Sequence, residues 1–191
     1  MNYSLHFLVL GIVALLWCLL ILVDIHIFPL KGIFISGSEG AIYGLTLAVA
    51  VKETTSLIKK LLVIVGGGLL SSGVPFAGLF MGNAIGNFLG WEGEARFNEH
   101  YEYLVFGVAS AIGALTFALL IKVTILPRIS YYLLPLAMIL CVTATLTVMA
   151  SAEPSNDLSM IWLTFGWWGA FSISIFLTDV KQLTKQGLRD P

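Results

Sequence analysis

The chain has 191 residues, of which 58% are hydrophobic and only 11% charged, and a formal net charge of −1; its mean hydropathy is +0.95. A water-soluble domain carries about 25% charged residues because its whole surface faces water, so the soluble globular class is excluded, together with disorder, collagen-like repeats and coiled coils. What remains is an all-α, polytopic membrane protein, since a barrel strand alternates in and out over about ten residues whereas the apolar runs here are continuous.

Crossing a hydrocarbon core of roughly 30 Å takes about 20 apolar residues in a helix, and six runs are long enough. The first, Leu5 to Phe28, has no Lys or Arg ahead of it and no small-residue cleavage pattern after it, which reads as an uncleaved span. It holds Cys18, which like Cys141 in the fifth run lies mid-span, and both are expected to be buried thiols. At its outer end Asp24 and His26 stand two residues apart, which on a helix turns them about 200° away from each other, so they do not form a metal site.

The second run, Gly32 to Val51, carries Ser36, Gly40, Gly44 and Ala48 at every fourth position. Association in lipid relies on close backbone approach, which such a stripe of small residues permits. Glu39 borders the stripe, about 12 Å from the outer end of the span by the helical rise. A carboxylate at this depth costs several kcal/mol unless it is paired, so the side chain is expected to face protein, either protonated or hydrogen-bonded.

The third run, Leu61 to Trp91, has 31 uncharged residues, enough for a helix of about 46 Å. It is expected to be kinked or broken near Pro75, where proline removes a backbone donor and Ser71 and Ser72 can satisfy freed carbonyls. A second stripe follows at Gly78, Gly82, Gly86 and Gly90, flanked by Asn83 and Asn87. The asparagines are the expected hydrogen-bond partners of Glu39, and Glu39, Asn83 and Asn87 together are the candidates for handling a proton or cation. The two stripes are expected to pack the second and third spans together; their other use is contact with a second copy of the chain or another membrane protein.

One local pattern has a family likeness. The segment Gly37, Ser38, Glu39, Gly40, Ala41, Ile42, Tyr43, Gly44 resembles the GxSG segment of rhomboid proteases, and Gly82, Asn83, Ala84, Ile85, Gly86, with Gly90, resembles their histidine helix. Here Glu39 stands at the serine and Asn83 at the histidine, so no nucleophile and base are carried over, and the family is not adopted. An enzyme is the weaker reading.

Beyond the third span, Glu92, Glu94, Arg96, Glu99, His100 and Glu102 make an acidic loop, followed by the uncharged runs Tyr103 to Ile121, Ile129 to Ala150 and Leu158 to Thr178. Lys181, Lys185 and Arg189 then read as anchors to the inner leaflet. With six spans, Lys52, Lys59, Lys60, Lys122, Arg128, Lys181, Lys185 and Arg189 share one side and only Lys31 and Arg96 the other. A break that made seven spans would divide them four to six and erase the asymmetry. The positive-inside rule therefore puts both termini in the cytoplasm, in a membrane of the bacterial inner type. Residues 1–191 are expected to form one integral membrane domain in contact with lipid, with no nucleic-acid partner. No cofactor is implied, because Gly66 to Gly68 with Ser71 and Ser72 lack the Gly-Lys-Ser/Thr of a phosphate loop. The expected function is transport or sensing of a small solute or ion at Glu39; the alternative is a non-catalytic membrane subunit that packs on a partner through its glycine stripes.

Overall fold

A computed structural model describes residues 31–51, 56–90, 99–151 and 157–187, together with residues 8, 11 and 12, which are helical. The first expected span, 5–28, otherwise lies outside the described residues, as do Asp24, His26 and most of the acidic loop. The described chain is all-α, with five helices: α1 Lys31–Ala50, α2 Leu57–Phe88, α3 Glu99–Thr124, α4 Leu133–Ser151 and α5 Asp157–Gly187. Among the described residues three helices, Leu57–Phe88, Tyr101–Thr124 and Leu133–Ser151, are long and apolar enough to cross a membrane, and Glu39–Ala50 is a shorter apolar helix.

Local chemistry accounts for the boundaries. Ser56 caps α2, its side chain accepting from the Lys59 amide at 3.4 Å, which satisfies one of the orphan donors of the first turn. α2 therefore starts four residues before the apolar run and carries Lys59 and Lys60 on its first turns. At the other end Gly90 takes a positive φ of 75°, the left-handed conformation that ends helices and that glycine adopts without strain. Pro127 sits in the turn after α3, so α4 begins at Leu133 rather than at Ile129, and Pro135 falls in the first turn of α4, where no backbone donor is lost.

Of the kink or break expected near Pro75, the break is absent. A single helix of 32 residues runs through it, and the physical reason is tertiary. The half of α2 before Pro75 is held by α1: a Cβ at Gly44 would lie 2.5 Å from the Val63 carbonyl, and one at Gly40 would collide with Ser71 Oγ and the Gly67 carbonyl. The half after Pro75 is held by α3, where a Cβ at Gly82 would lie 2.6 Å from Val105 Cγ2 and one at Gly78 would collide with Ala109 Cβ. Within the helix Ser72 Oγ donates back to the Gly68 carbonyl at 3.0 Å. Two tight contacts on either side of the proline keep the chain helical through the loss of one donor.

Successive helices pack side by side, and α1 also meets α5, since the Tyr43 ring stacks on Trp168 with centroids 4.2 Å apart. α3 is the central element. Its Ala114, Phe117, Ala118 and Ile121 face a core shared with Tyr43 and Leu47 of α1, Val63 of α2, Leu133, Ala137 and Cys141 of α4, and Trp168, Phe171 and Ile175 of α5. The outward faces are also apolar, with Leu61, Leu62, Val65, Leu69, Phe76 and Phe80 of α2 all exposed. A chain that is hydrophobic both inside and outside is built for a bilayer, and the lipid contact expected from composition follows from these faces.

Candidate functional site

The described helices line a partly open cavity of about 330 Å³, and each of the five contributes to its wall. α1 supplies Glu39; α2 supplies Leu70, Ser71, Val74, Pro75 and Leu79. α3 lines it with Phe106, Ala109, Ser110, Gly113 and Phe117, α4 with Thr145, and α5 with Leu163, Trp167 and Trp168. Pro75 of α2 is thus also part of the cavity wall.

Glu39 reaches this wall because its neighbour Gly40 is buried against Ser71 and Gly67. That contact sets the adjacent side chain about 100° further around the helix, at the edge of the cavity. Glu39 is partly buried. The wall around it is largely apolar, and its other polar groups are Ser71 of α2 and a small cluster on α3, α4 and α5. Trp167 Nε1 donates to Ser110 Oγ at 2.9 Å, and Thr145 Oγ1 donates to the same oxygen at 3.0 Å. Ser110 is 5% exposed and Thr145 2%, so three donors share two bonds in a dry setting.

Behind this cluster lies an aromatic wall. Trp167 and Trp168 meet edge to face at 4.5 Å, Trp167 stacks on Phe171 at 5.5 Å, and Phe117 meets Trp168 edge-on at 5.3 Å. The Tyr43 hydroxyl lies 2.7 Å from Ser172 Oγ; because Ser172 gives its own proton to the Trp168 carbonyl at 2.8 Å, Tyr43 is the donor in that pair. These contacts fix the indoles from behind and from the side, which pre-organises the cavity face.

The structure separates the residues that the sequence grouped. Asn83 Oδ1 accepts from the Tyr101 hydroxyl at 2.6 Å, a contact between α2 and α3. Ser71 sits level with Gly40, so Asn83 and Asn87 lie about 18 and 24 Å further along α2 by the helical rise. Neither is within reach of Glu39. Both glycine stripes are used inside the bundle, but against different helices: Gly40 and Gly44 meet α2, whereas Gly78 and Gly82 meet α3. Gly86 and Ala48 are buried. Gly90 lies beyond the helix end, with open space where a Cβ would be, and Ser36 falls in a stretch of α1 for which only the backbone is described.

Ser110, Thr145, Trp167 and Trp168 were not singled out from the sequence. One signal for them was present: tryptophans gather at membrane interfaces, and the pair at 167 and 168 falls in the middle of an apolar run. Among the described residues no group of three or more His, Cys, Asp or Glu side chains converges as a metal site would require. Comparison with known protein families, with curated proteins and with solved structures finds no match for this chain.

Proposed function

We propose that the chain is a six-span membrane protein with both termini in the cytoplasm of a bacterial-type cell, and that it binds a small solute, for transport or for sensing, in the cavity bordered by Glu39. The observation that carries this reading is the cavity itself, a concave, mostly apolar space with a few convergent polar groups and one acid. Its volume lies within the range of roughly 300 to 1,000 Å³ typical of small-molecule sites. An ionisable residue inside a span is expensive and faces a bundle interior or a water-filled path when retained. The alternative, a non-catalytic subunit, draws on the glycine stripes, but Gly40, Gly44, Gly78 and Gly82 are already occupied by contacts within the chain. Asn83 and Asn87 have no part in the proposed site.

Water access to Glu39 separates the two. In a protein with Cys18 replaced by Ala, Glu39→Cys is expected to react with a charged, membrane-impermeant thiol reagent. Leu45→Cys, on an exposed apolar face of α1, is expected to stay unreactive, as is the fully buried Cys141. No reaction at position 39 from either side of the membrane removes the solute reading and leaves the subunit reading.

A further inference from the structure

The polar inventory of the cavity says more about the solute than its volume does. Ser110 Oγ receives both the Trp167 indole proton and the Thr145 hydroxyl proton, and among the described residues nothing accepts the proton of Ser110 itself. Reversing the Thr145 to Ser110 bond only moves the surplus, because two hydroxyls and one indole hold three protons for two bonds. One O–H therefore remains on a side chain more than nine-tenths buried that lines the cavity, and a buried donor left unmade is costly. A solute in the cavity that carries an oxygen acceptor would take it.

Glu39 is the one acid on the same wall, and Phe106, Phe117, Trp167 and Trp168 supply most of its aromatic surface. Aromatic faces attract cations and tolerate apolar bulk. A bare inorganic cation does not fit this set: hard cations take six to eight oxygen ligands, and this lining is dominated by carbon. An anion would meet the Glu39 carboxyl. A neutral hydrocarbon would leave the surplus hydroxyl proton unmatched.

We propose that the cavity receives a small organic ammonium ion with an apolar body and an oxygen acceptor. The ammonium group lies toward Glu39 and the aromatic walls, and the oxygen accepts the O–H of the Ser110 and Thr145 pair. The proposal rests on the solute-site reading above and names the class of solute. The same chemistry is offered by a free amine and by a lipid headgroup such as phosphatidylethanolamine.

The test uses the full chain in nanodiscs of phosphatidylglycerol alone, with calorimetric binding corrected against empty nanodiscs. Three probes of equal shape are compared: 2-phenoxyethyltrimethylammonium, its neutral carbon isostere 3,3-dimethylbutyl phenyl ether, and 3-phenylpropyltrimethylammonium, in which a methylene replaces the oxygen. The first is expected to bind saturably, with the neutral isostere about tenfold weaker for loss of the cation's contacts and the oxygen-free cation about fivefold weaker for loss of one hydrogen bond. Glu39→Gln is expected to bring the cation and its neutral isostere within about twofold of each other; the comparison of probes on the unmodified protein stands even if that variant does not fold. Adding phosphatidylethanolamine to the nanodiscs distinguishes the sources: competition assigns the site to a headgroup ammonium, and unchanged affinity assigns it to a free solute. Equal binding of the cation and its neutral isostere to the unmodified protein overturns the ammonium assignment and leaves the solute site standing. Absence of saturable binding by all three probes overturns both.

Discussion

At the scale of single residues, several positions owe their identity to what lies within a few ångströms of them. Gly40 is the sharpest case, because any Cβ there would collide with Ser71 Oγ and the Gly67 carbonyl, whereas a Cβ at Gly73 would meet nothing within 4 Å. Gly40→Ala is therefore expected to destabilise by about 1 to 3 kcal/mol, as overpacking does, and Gly73→Ala to be neutral or to gain up to about 1 kcal/mol of helix propensity. Thermal unfolding of the two variants in the same detergent checks the pair, and an equal loss in both would show that the α1 to α2 contact is looser than described. Lys122 is a second case. It counts among the basic residues expected on the inner side, yet only 9% of it is exposed. Its Nζ donates to the Ile129 carbonyl and sits 4.0 Å from the centroid of the Tyr131 ring. Rather than reaching for a lipid headgroup, it fastens the turn between α3 and α4. Lys122→Met keeps the aliphatic stem and removes both contacts, at an expected cost of about 1 to 3 kcal/mol, read as a lowered midpoint of unfolding with no change in membrane orientation.

Among the elements, α2 shows how tertiary contact overrides a local signal. Proline and the two serines before it argue for a break, and for an isolated peptide the argument is sound. In the bundle the first half of the helix lies against α1 and α3, where Gly66 and Gly67 meet Leu120 and Phe117, and the second half against α3 at Gly78 and Gly82, and one continuous helix satisfies both contacts. Pro75 is exposed on the helix surface, and its replacement returns an amide donor for the Ser71 carbonyl. Pro75→Ala is expected to leave helix content unchanged and the melting temperature equal or higher. A lower melting temperature would show that the fit to α1 and α3 depends on the proline. α4 presents the opposite situation, where pattern and packing coincide: Leu133, Ala137, Cys141, Thr145 and Met149 recur at every fourth position and all are buried, as a helix with one face on the bundle requires.

For the whole molecule, orientation is the property on which the proposed physiology depends, and its expectation rests on charge rather than on packing. Arg96→Cys and Lys185→Cys, each in a background lacking Cys18, are expected to label from opposite sides of the membrane with an impermeant reagent; labelling from the same side would remove the six-span arrangement. The sequence by itself determined that this is a helical chain with apolar faces inside and out, placed the ends of the described helices to within four residues except the last, where α5 runs nine residues beyond Thr178, and marked Glu39 as the acid within an apolar run. These properties come from composition and from the length of apolar runs, which act over one span at a time. Which residues Glu39 meets was decided only by tertiary structure. Asn83 and Asn87 are on the right helix at the wrong height, because the register between α1 and α2 is set by the seating of Gly40 on Gly67 and Ser71. Ser110, Thr145 and Trp167 come from three separate helices, and no spacing along the chain relates them. They converge because α3 lies at the centre of the bundle, in contact with every other described helix, so the chemistry of the cavity follows from packing between spans and not from the pattern within any one of them.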